Sequence, residues 1–191
     1  MPRQRQRRPV SRRRRRACSE RAGRKSMDRR ELTTPLGFLN VAGSYRAAAD
    51  KLRVCKLRAE HPHSPILFLY YHSIEFYLKA FLRVHGLSAS FLADDIRHNV
   101  KKLRKMCVAR GLRFDEETED VLALIAAPGA GIRTRYLEVG FGRHPSFSAL
   151  SRVCRKIDRA VGATLSDKGV HIRRMRRGVR ASDGPLVAAR R

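Results

Sequence analysis

The chain has 191 residues, enough for one folded domain with tails, and a formal net charge of +26 at pH 7. Its longest uninterrupted apolar run, PILFLYY, is too short to cross a bilayer, and no apolar stretch follows the N-terminal arginines. The sequence therefore predicts neither a transmembrane segment nor a secretory signal, and we expect a cytoplasmic protein.

The positive charge is concentrated at the two ends. Residues 1–30 contain 14 Lys and Arg against two acids, and residues 168–191 contain eight against one. Both ends have little apolar surface to bury, so we predict disordered tails at 1–31 and 168–191 around a domain at 32–167. A polycationic arm favours nucleic acid or an acidic membrane surface as its partner. An alternative is that translation starts at Met27, without the residues before it.

Two helix starts share one signal, a Ser or Thr cap followed by proline. Thr34–Pro35 opens a predicted helix within 33–60, where apolar residues recur at helical spacing until EHPHSP breaks the pattern. Ser64–Pro65 opens a second helix. It ends at His85–Gly86, where glycine can take the left-handed conformation.

The rest of the domain continues the helical pattern. A connector, LSASFLADD, leads to a third helix at about 95–110, and Asp115 caps a fourth whose first turn is acidic. IRTRYLEVGFGRHP is irregular or a short helix, and SFSALSRVCRKIDRAVGATL is a final amphipathic helix. No segment alternates with period two. We predict an all-α fold, an up-and-down bundle of about five helices.

The four cysteines show no C-x-x-C spacing and no metal-ligand pattern. They are Cys18, Cys55, Cys107 and Cys154. The last three fall among apolar residues of predicted helices, so we expect buried free thiols rather than disulfides.

The second helix carries ionisable residues inside the most apolar stretch of the chain, YYHSIEFYLKAF. On a helical wheel His72, Glu75 and Lys79 form one narrow strip with Phe68 and Arg83, and Glu75 with Lys79 is a favourable i,i+4 pair. One interpretation is that the strip faces a crevice or a partner. The other is an ordinary solvated face with a surface salt bridge.

Three segments together resemble the HEPN superfamily of small helical bundles. They are PILFLYYHSIEFYLKAFLRVHG, IRHNVKKLRKMCVARGL and IRTRYLEVG, and the resemblance spans roughly residues 36–162. It implies a bundle of four or five helices that dimerises through helix faces. Some HEPN proteins bind nucleotides beside a nucleotidyltransferase partner. Others are metal-independent ribonucleases whose motif is Arg, four to six residues, then His.

This chain departs from that ribonuclease motif. Eight residues separate Arg135 from His144, and Tyr136 stands where the motif has a polar residue. Arg58 and His63 have the expected interval but lie in the predicted loop before the second helix. We therefore favour a binding module over a ribonuclease.

The predicted function is a HEPN-like, homodimeric module that holds nucleotide, RNA or a partner protein in a crevice. The predicted ligand-binding residues are His72, Glu75, Lys79, Arg133 and Arg135. The alternative is a toxin-type, metal-independent ribonuclease that uses Arg135 and His144, with an antitoxin as its partner. The sequence indicates no cofactor. It also predicts no metal site, because His72, Glu75 and His98 lack a paired ligand motif.

Overall fold

The computed structural model describes residues 28–55, 58–127 and 143–172. Within these ranges all regular structure is helical, which confirms the predicted all-α bundle. A 3₁₀ turn at Arg29–Leu32 precedes the helices, and a π-helical turn, Leu92–Ile96, follows α3. The six helices are α1 (Pro35–Leu52), α2 (His63–Val84), α3 (Ala89–Phe91), α4 (Val100–Val108), α5 (Glu116–Ala126) and α6 (Phe147–Asp167).

Helix α2 lies at the centre of the bundle. It contacts α1, α4 and α6. Helix α5 packs against both α4 and α6, and α6 also packs against α1. Of its 22 residues 13 are buried, so it is enclosed on most sides. The core around it consists of aliphatic and aromatic side chains such as Ile74, Tyr77, Leu78, Leu103, Leu122, Leu150 and Ile157. None of the helices in the described ranges is both long and apolar enough to span a membrane.

Side-chain caps start several helices. Thr34 and Asp115 cap α1 and α5 as the sequence predicts, each accepting a hydrogen bond from a backbone N–H of the first turn. Ser146 caps α6 in the same way. Gly86 follows α2 with φ of 88°, the left-handed conformation predicted for it.

Two helix starts differ from the prediction. α2 begins at His63, one residue before the predicted cap Ser64. α4 begins at Val100 rather than near residue 95, because the Asn99 side chain accepts a hydrogen bond from the N–H of Lys102 at 2.9 Å and so caps the helix there. The predicted connector is itself helical, since it forms α3 and the π turn.

The bundle extends beyond the predicted limits of 32–167 at its N-terminal side. The Glu31 carboxylate accepts hydrogen bonds from the backbone N–H groups of Ala89 at 3.2 Å and Ser90 at 2.8 Å. Arg30 forms an ion pair with Asp94 at 2.6 Å. The 3₁₀ turn is therefore attached to α3 and to the π turn.

The C-terminal side also continues past α6. Gly169, with φ of 78°, turns the chain so that the N–H of Val170 donates to the carbonyl of Leu165 at 2.9 Å. Val170 and Ile172 then pack against the core. Residues 1–27 and 173–191 lie outside the described ranges. The prediction that they are disordered therefore stays a prediction.

The prediction of buried free thiols is confirmed for two cysteines and wrong for a third. Cys107 and Cys154 are buried free thiols, and burial raises the pKa of each to about 12. Cys55 is exposed, so the prediction of burial is wrong for it, because α1 ends at Leu52 and the chain leaves the packed surface. Cys18 lies outside the described residues.

Candidate functional site

The polar strip of α2 contains a buried ion pair. Glu75 and Lys79 are 2% and 6% exposed, and the Lys79 Nζ donates to Glu75 Oε1 at 2.8 Å. The predicted i,i+4 pair is therefore present. The interpretation as a solvated face is wrong for these two residues, because both side chains are almost completely removed from solvent. A buried charge needs such a partner, since desolvation is otherwise costly.

His98, just before α4, connects this pair to the surface. Its Nδ1 lies 3.0 Å from each carboxylate oxygen of Glu75, while 52% of its side chain is exposed. An ionised carboxylate can only accept, so the hydrogen must be on Nδ1, and in the neutral ring Nε2 then keeps its lone pair. Lys79, Glu75 and His98 form a chain from the interior to solvent.

The residues on both sides of His98 have a defined backbone conformation. Arg97 has φ of 54° and ψ of −112°, and it is the only non-glycine residue with positive φ in the described part of the chain. Such a conformation is unusual for a residue with a Cβ. Its Nε donates to the carbonyl of Asp94 at 3.2 Å, and Asn99 on the other side caps α4. The position of the imidazole is thus determined by the backbone as well as by Glu75.

A row of half-buried rings lies beside His98. The His72 ring is 4.2 Å from that of Phe68 and 5.9 Å from that of His98, measured between centroids. On α1, the ring of Tyr45 stacks on that of Phe76 at 5.8 Å. We call these side chains the aromatic row: Tyr45, Phe68, His72 and Phe76.

The start of α4 is positively charged. Three exposed cations accompany His98 before and within the first turn: Arg97, Lys101 and Lys102. We call these four residues the cationic end of α4. Two acids, Asp94 and Asp95, lie in the preceding π turn, and Arg30 neutralises the first of them. The cationic end therefore keeps a positive surplus.

The ribonuclease candidate His144 lies in a different environment. It is exposed, and its Nδ1 is 3.1 Å from the hydroxyl of Tyr71 on α2. It lines an open groove of about 520 Å³ with the carboxylates of Glu116, Glu117 and Asp120. Glu117 pairs with Arg152 at 2.7 Å and with Lys156 at 2.6 Å, so only part of this negative charge is left to disfavour a phosphodiester.

Two predicted site residues, Arg133 and Arg135, lie outside the described residues. The structure brings His72, Glu75 and Lys79 together on one side of α2 and adds His98 to them. Sequence reasoning treated His98 only as a possible metal ligand. No group of three or more metal-ligating side chains occurs in the ranges 28–55, 58–127 and 143–172.

A second internal polar cluster lies between α1, α2 and α6 and is structural. Asp50 accepts hydrogen bonds from Tyr70 at 2.7 Å and Ser151 at 2.6 Å, and it pairs with Arg46 at 3.2 Å. Burial raises the pKa of Tyr70, so its hydroxyl stays a donor. Each of these four side chains has a partner within the cluster.

The chain matches no family model, no curated protein and no solved structure.

Proposed function

We propose that this protein is a HEPN-like helical module that binds single-stranded RNA at the cationic end of α4. His98 carries the proposal. It is a half-exposed imidazole that a buried Glu75–Lys79 pair holds beside the aromatic row. In this arrangement the phosphates of the RNA contact the cationic end of α4, and its bases stack on the aromatic row.

The cost of the buried pair supports a functional role. A buried Glu–Lys pair seldom stabilises a fold more than apolar side chains of similar size would. Here the carboxylate of Glu75 does something that an apolar residue cannot do, because it binds and orients the imidazole of His98. An exposed histidine without a function can bond to water and does not require a buried carboxylate as its acceptor.

The combination of rings and cations fits the recognition of single strands. Unpaired bases stack on aromatic side chains, which contributes about 1–3 kcal/mol per base, while Lys and Arg follow the backbone phosphates. Phe68, His72 and Phe76 recur on one side of α2. The ring of His72 lies 5.9 Å from that of His98, which connects this side to the start of α4, where Lys101 and Lys102 are found. Double-stranded RNA hides its bases and could use only the cations.

The resemblance to HEPN proteins leads us to include three further points in the proposal. The module is a homodimer, its partner protein is a nucleotidyltransferase or an antitoxin, and the basic ends of the chain add unspecific affinity for nucleic acid. Light scattering after size exclusion tests the first point, since the monomer mass is 21.8 kDa. A ribonuclease built on Arg135 and His144 is the less favoured alternative, because eight residues separate the two instead of four to six and acidic residues line the groove at His144.

The binding site is tested by fluorescence anisotropy of the full chain with a labelled single-stranded RNA of about 12 nucleotides. We expect Lys101→Ala/Lys102→Ala to weaken binding roughly tenfold and to lower the slope of log K against log salt by about 1.4. The matched control, Lys51→Ala/Lys168→Ala, removes the same charge from exposed lysines elsewhere and should change both values little. Equal losses in the two double variants would refute the site.

Phe68→Leu separates base stacking from charge in the same assay. Leucine keeps the apolar volume of Phe68 but has no ring for a base. We expect weaker binding of single-stranded RNA and unchanged binding of inorganic polyphosphate. If the variant loses both ligands equally or neither, the aromatic row has no part in recognition.

A further inference from the structure

A second groove, of about 480 Å³, lies between α4 and α5. This volume is within the range of small-ligand sites, roughly 300–1,000 Å³. The groove is lined by charged residues of α4 and α5 and by small apolar residues of α5, among them Lys101, Arg104, Glu119, Asp120, Ala123 and Ala126. The alanine side chains are short, so they leave the space between the two helices open. We call this cavity the α4–α5 groove.

The four charged residues of the α4–α5 groove differ in whether they are paired. Arg104 and Glu119 form an ion pair that joins the two helices. Lys101 and Asp120 are exposed, and within the described ranges neither side chain forms an ion pair or a hydrogen bond. Each helix therefore contributes one charge that is available to a ligand, a cation from α4 and a carboxylate from α5.

A nucleotide with a guanine base carries the groups that these two charges can bind. Its phosphate is a partner for Lys101. The ionised carboxylate of Asp120 can only accept hydrogen bonds, and guanine presents two neighbouring donors, N1–H and the N2 amine, on its Watson–Crick edge. Adenine and cytosine present a donor beside an acceptor, and uracil presents a donor between two acceptors. Each of these three bases would place at least one lone pair against the carboxylate.

We propose that the α4–α5 groove holds one guanine base of the bound RNA, with the Asp120 carboxylate accepting hydrogen bonds from N1–H and from the N2 amine. The base lies against the apolar lining at Ala123 and Ala126, and Lys101 contacts the phosphate of the same nucleotide. This inference rests on the proposed function, because Lys101 also belongs to the cationic end of α4. It adds selectivity for a base to a surface that the aromatic row and the cations alone would leave unspecific.

The repulsion between Asp120 and phosphate favours such a selective role. A carboxylate among cations lowers the affinity of this surface for any nucleic acid strand. For guanine the two N–H donors offset that loss, whereas the other bases offer at most one donor. Specificity arises from a repulsive contact with the wrong ligand as well as from an attractive contact with the right one.

The test is fluorescence anisotropy of the full chain with labelled oligouridine strands of about 12 nucleotides that carry one guanosine, inosine or adenosine at the centre. We expect the guanosine strand to bind about tenfold more tightly than the adenosine strand, as for a bidentate contact to a base. Inosine keeps N1–H but lacks the N2 amine, so its strand should bind with intermediate affinity.

Asp120→Asn tests the contact to the base. Its amide presents one acceptor and one donor, so the preference for guanosine over adenosine should fall to within about twofold. Oligouridine without a purine should bind this variant at least as tightly as the wild type. The matched control is Glu116→Gln, which removes an exposed carboxylate of the same helix that lines the groove at His144 and not the α4–α5 groove. It should keep the preference.

Ala123→Leu tests the location of the base. Ala123 is exposed, so the larger side chain enters the α4–α5 groove without disturbing the core, and it should also abolish the preference for guanosine. Ala163→Leu makes the same change at an exposed position of α6 and should leave the preference unchanged. Thermal denaturation by circular dichroism checks that both variants are folded.

The outcomes separate this inference from the proposed function. Equal affinity of the wild type for the guanosine and adenosine strands, with binding still dependent on Lys101 and Lys102, would refute the guanine subsite and leave the proposed function standing. A preference that persists in Asp120→Asn or in Ala123→Leu would place recognition of the base elsewhere and overturn the inference. The absence of site-specific RNA binding would refute both.

Discussion

Lys79 is the residue whose position is hardest to explain by stability alone. Lys79 is 6% exposed, and besides Glu75 its Nζ has the face of the Phe76 ring at 5.8 Å from the ring centroid. Removal from water costs a lysine several kcal/mol before any partner is counted. Its hydrogen bond holds the carboxylate of Glu75 in place and thereby maintains the acceptor for His98.

We therefore predict that Lys79→Met destabilises the fold by about 3 kcal/mol, since Glu75 would keep its buried charge without its ammonium partner. The double variant Glu75→Gln/Lys79→Met should be more stable than this single variant, because it removes the charge as well. The measurement is urea denaturation followed by circular dichroism. The single variant Glu75→Gln completes the cycle. If the losses of the two single variants add up to that of the double variant, the pair is not coupled.

At the level of helices, α5 and α6 are joined by a surface network of charges. Lys156 of α6 contacts both Asp115 and Glu117, and Arg152 adds a second ion pair to Glu117 at 2.7 Å. Asp115 is also the N-cap of α5, so one carboxylate both starts a helix and fixes it to its neighbour. Isolated exposed ion pairs contribute little to the stability of a fold. A network of several charges that includes a helix cap contributes more.

This network predicts an acid-sensitive contribution to stability. The ammonium of Lys156 and the Thr118 hydrogen bonds lower the pKa of Asp115 to about 2, and Lys156 with Arg152 lowers that of Glu117. A lowered folded-state pKa gives stability that is present above the unfolded pKa near 4 and lost as pH falls toward 2. Lys156→Met should therefore lower Tm at pH 7 and have little effect at pH 2.

The control for this experiment is Lys51→Met, which removes an exposed lysine of α1. The difference in Tm between this variant and the wild type should stay the same between pH 7 and pH 2. A difference between Lys156→Met and the wild type that stays constant over this range would contradict the assignment to the two carboxylates.

At the level of the whole molecule, the ends of the described chain belong to the folded unit. Glu31 binds the start of α3, and Val170 and Ile172 cover part of the core after α6. A domain cut at 32–167 would lose these contacts, although local sequence patterns suggest that boundary.

We predict that a chain of residues 28–172 melts cooperatively at the Tm of the full chain, and that one of residues 32–167 melts roughly 5 °C lower. The main reason is the apolar surface of Val170 and Ile172 that the shorter chain exposes. Thermal denaturation by circular dichroism checks both. Equal Tm values for the two truncated chains would show that the terminal contacts do not stabilise the fold.

Local signals predicted most of the fold but only half of the site. The caps Thr34 and Asp115 and the turn at Gly86 were predictable because each depends on a few neighbouring residues. The Glu75–Lys79 pair was predictable because one helical turn separates its members. The contact between Glu75 and His98 was not, since they are 23 positions apart and no periodicity connects them.

The sequence by itself determined that the chain is helical and which residues share each helix face, because hydrophobic spacing and capping act over a few residues. Only the tertiary structure decided that α2 is central, that Glu75 and Lys79 of its polar strip are buried, and that His98 contacts Glu75 while His144 contacts Tyr71. Those outcomes depend on which helix faces meet. That choice is made by packing between distant segments, which no local pattern encodes.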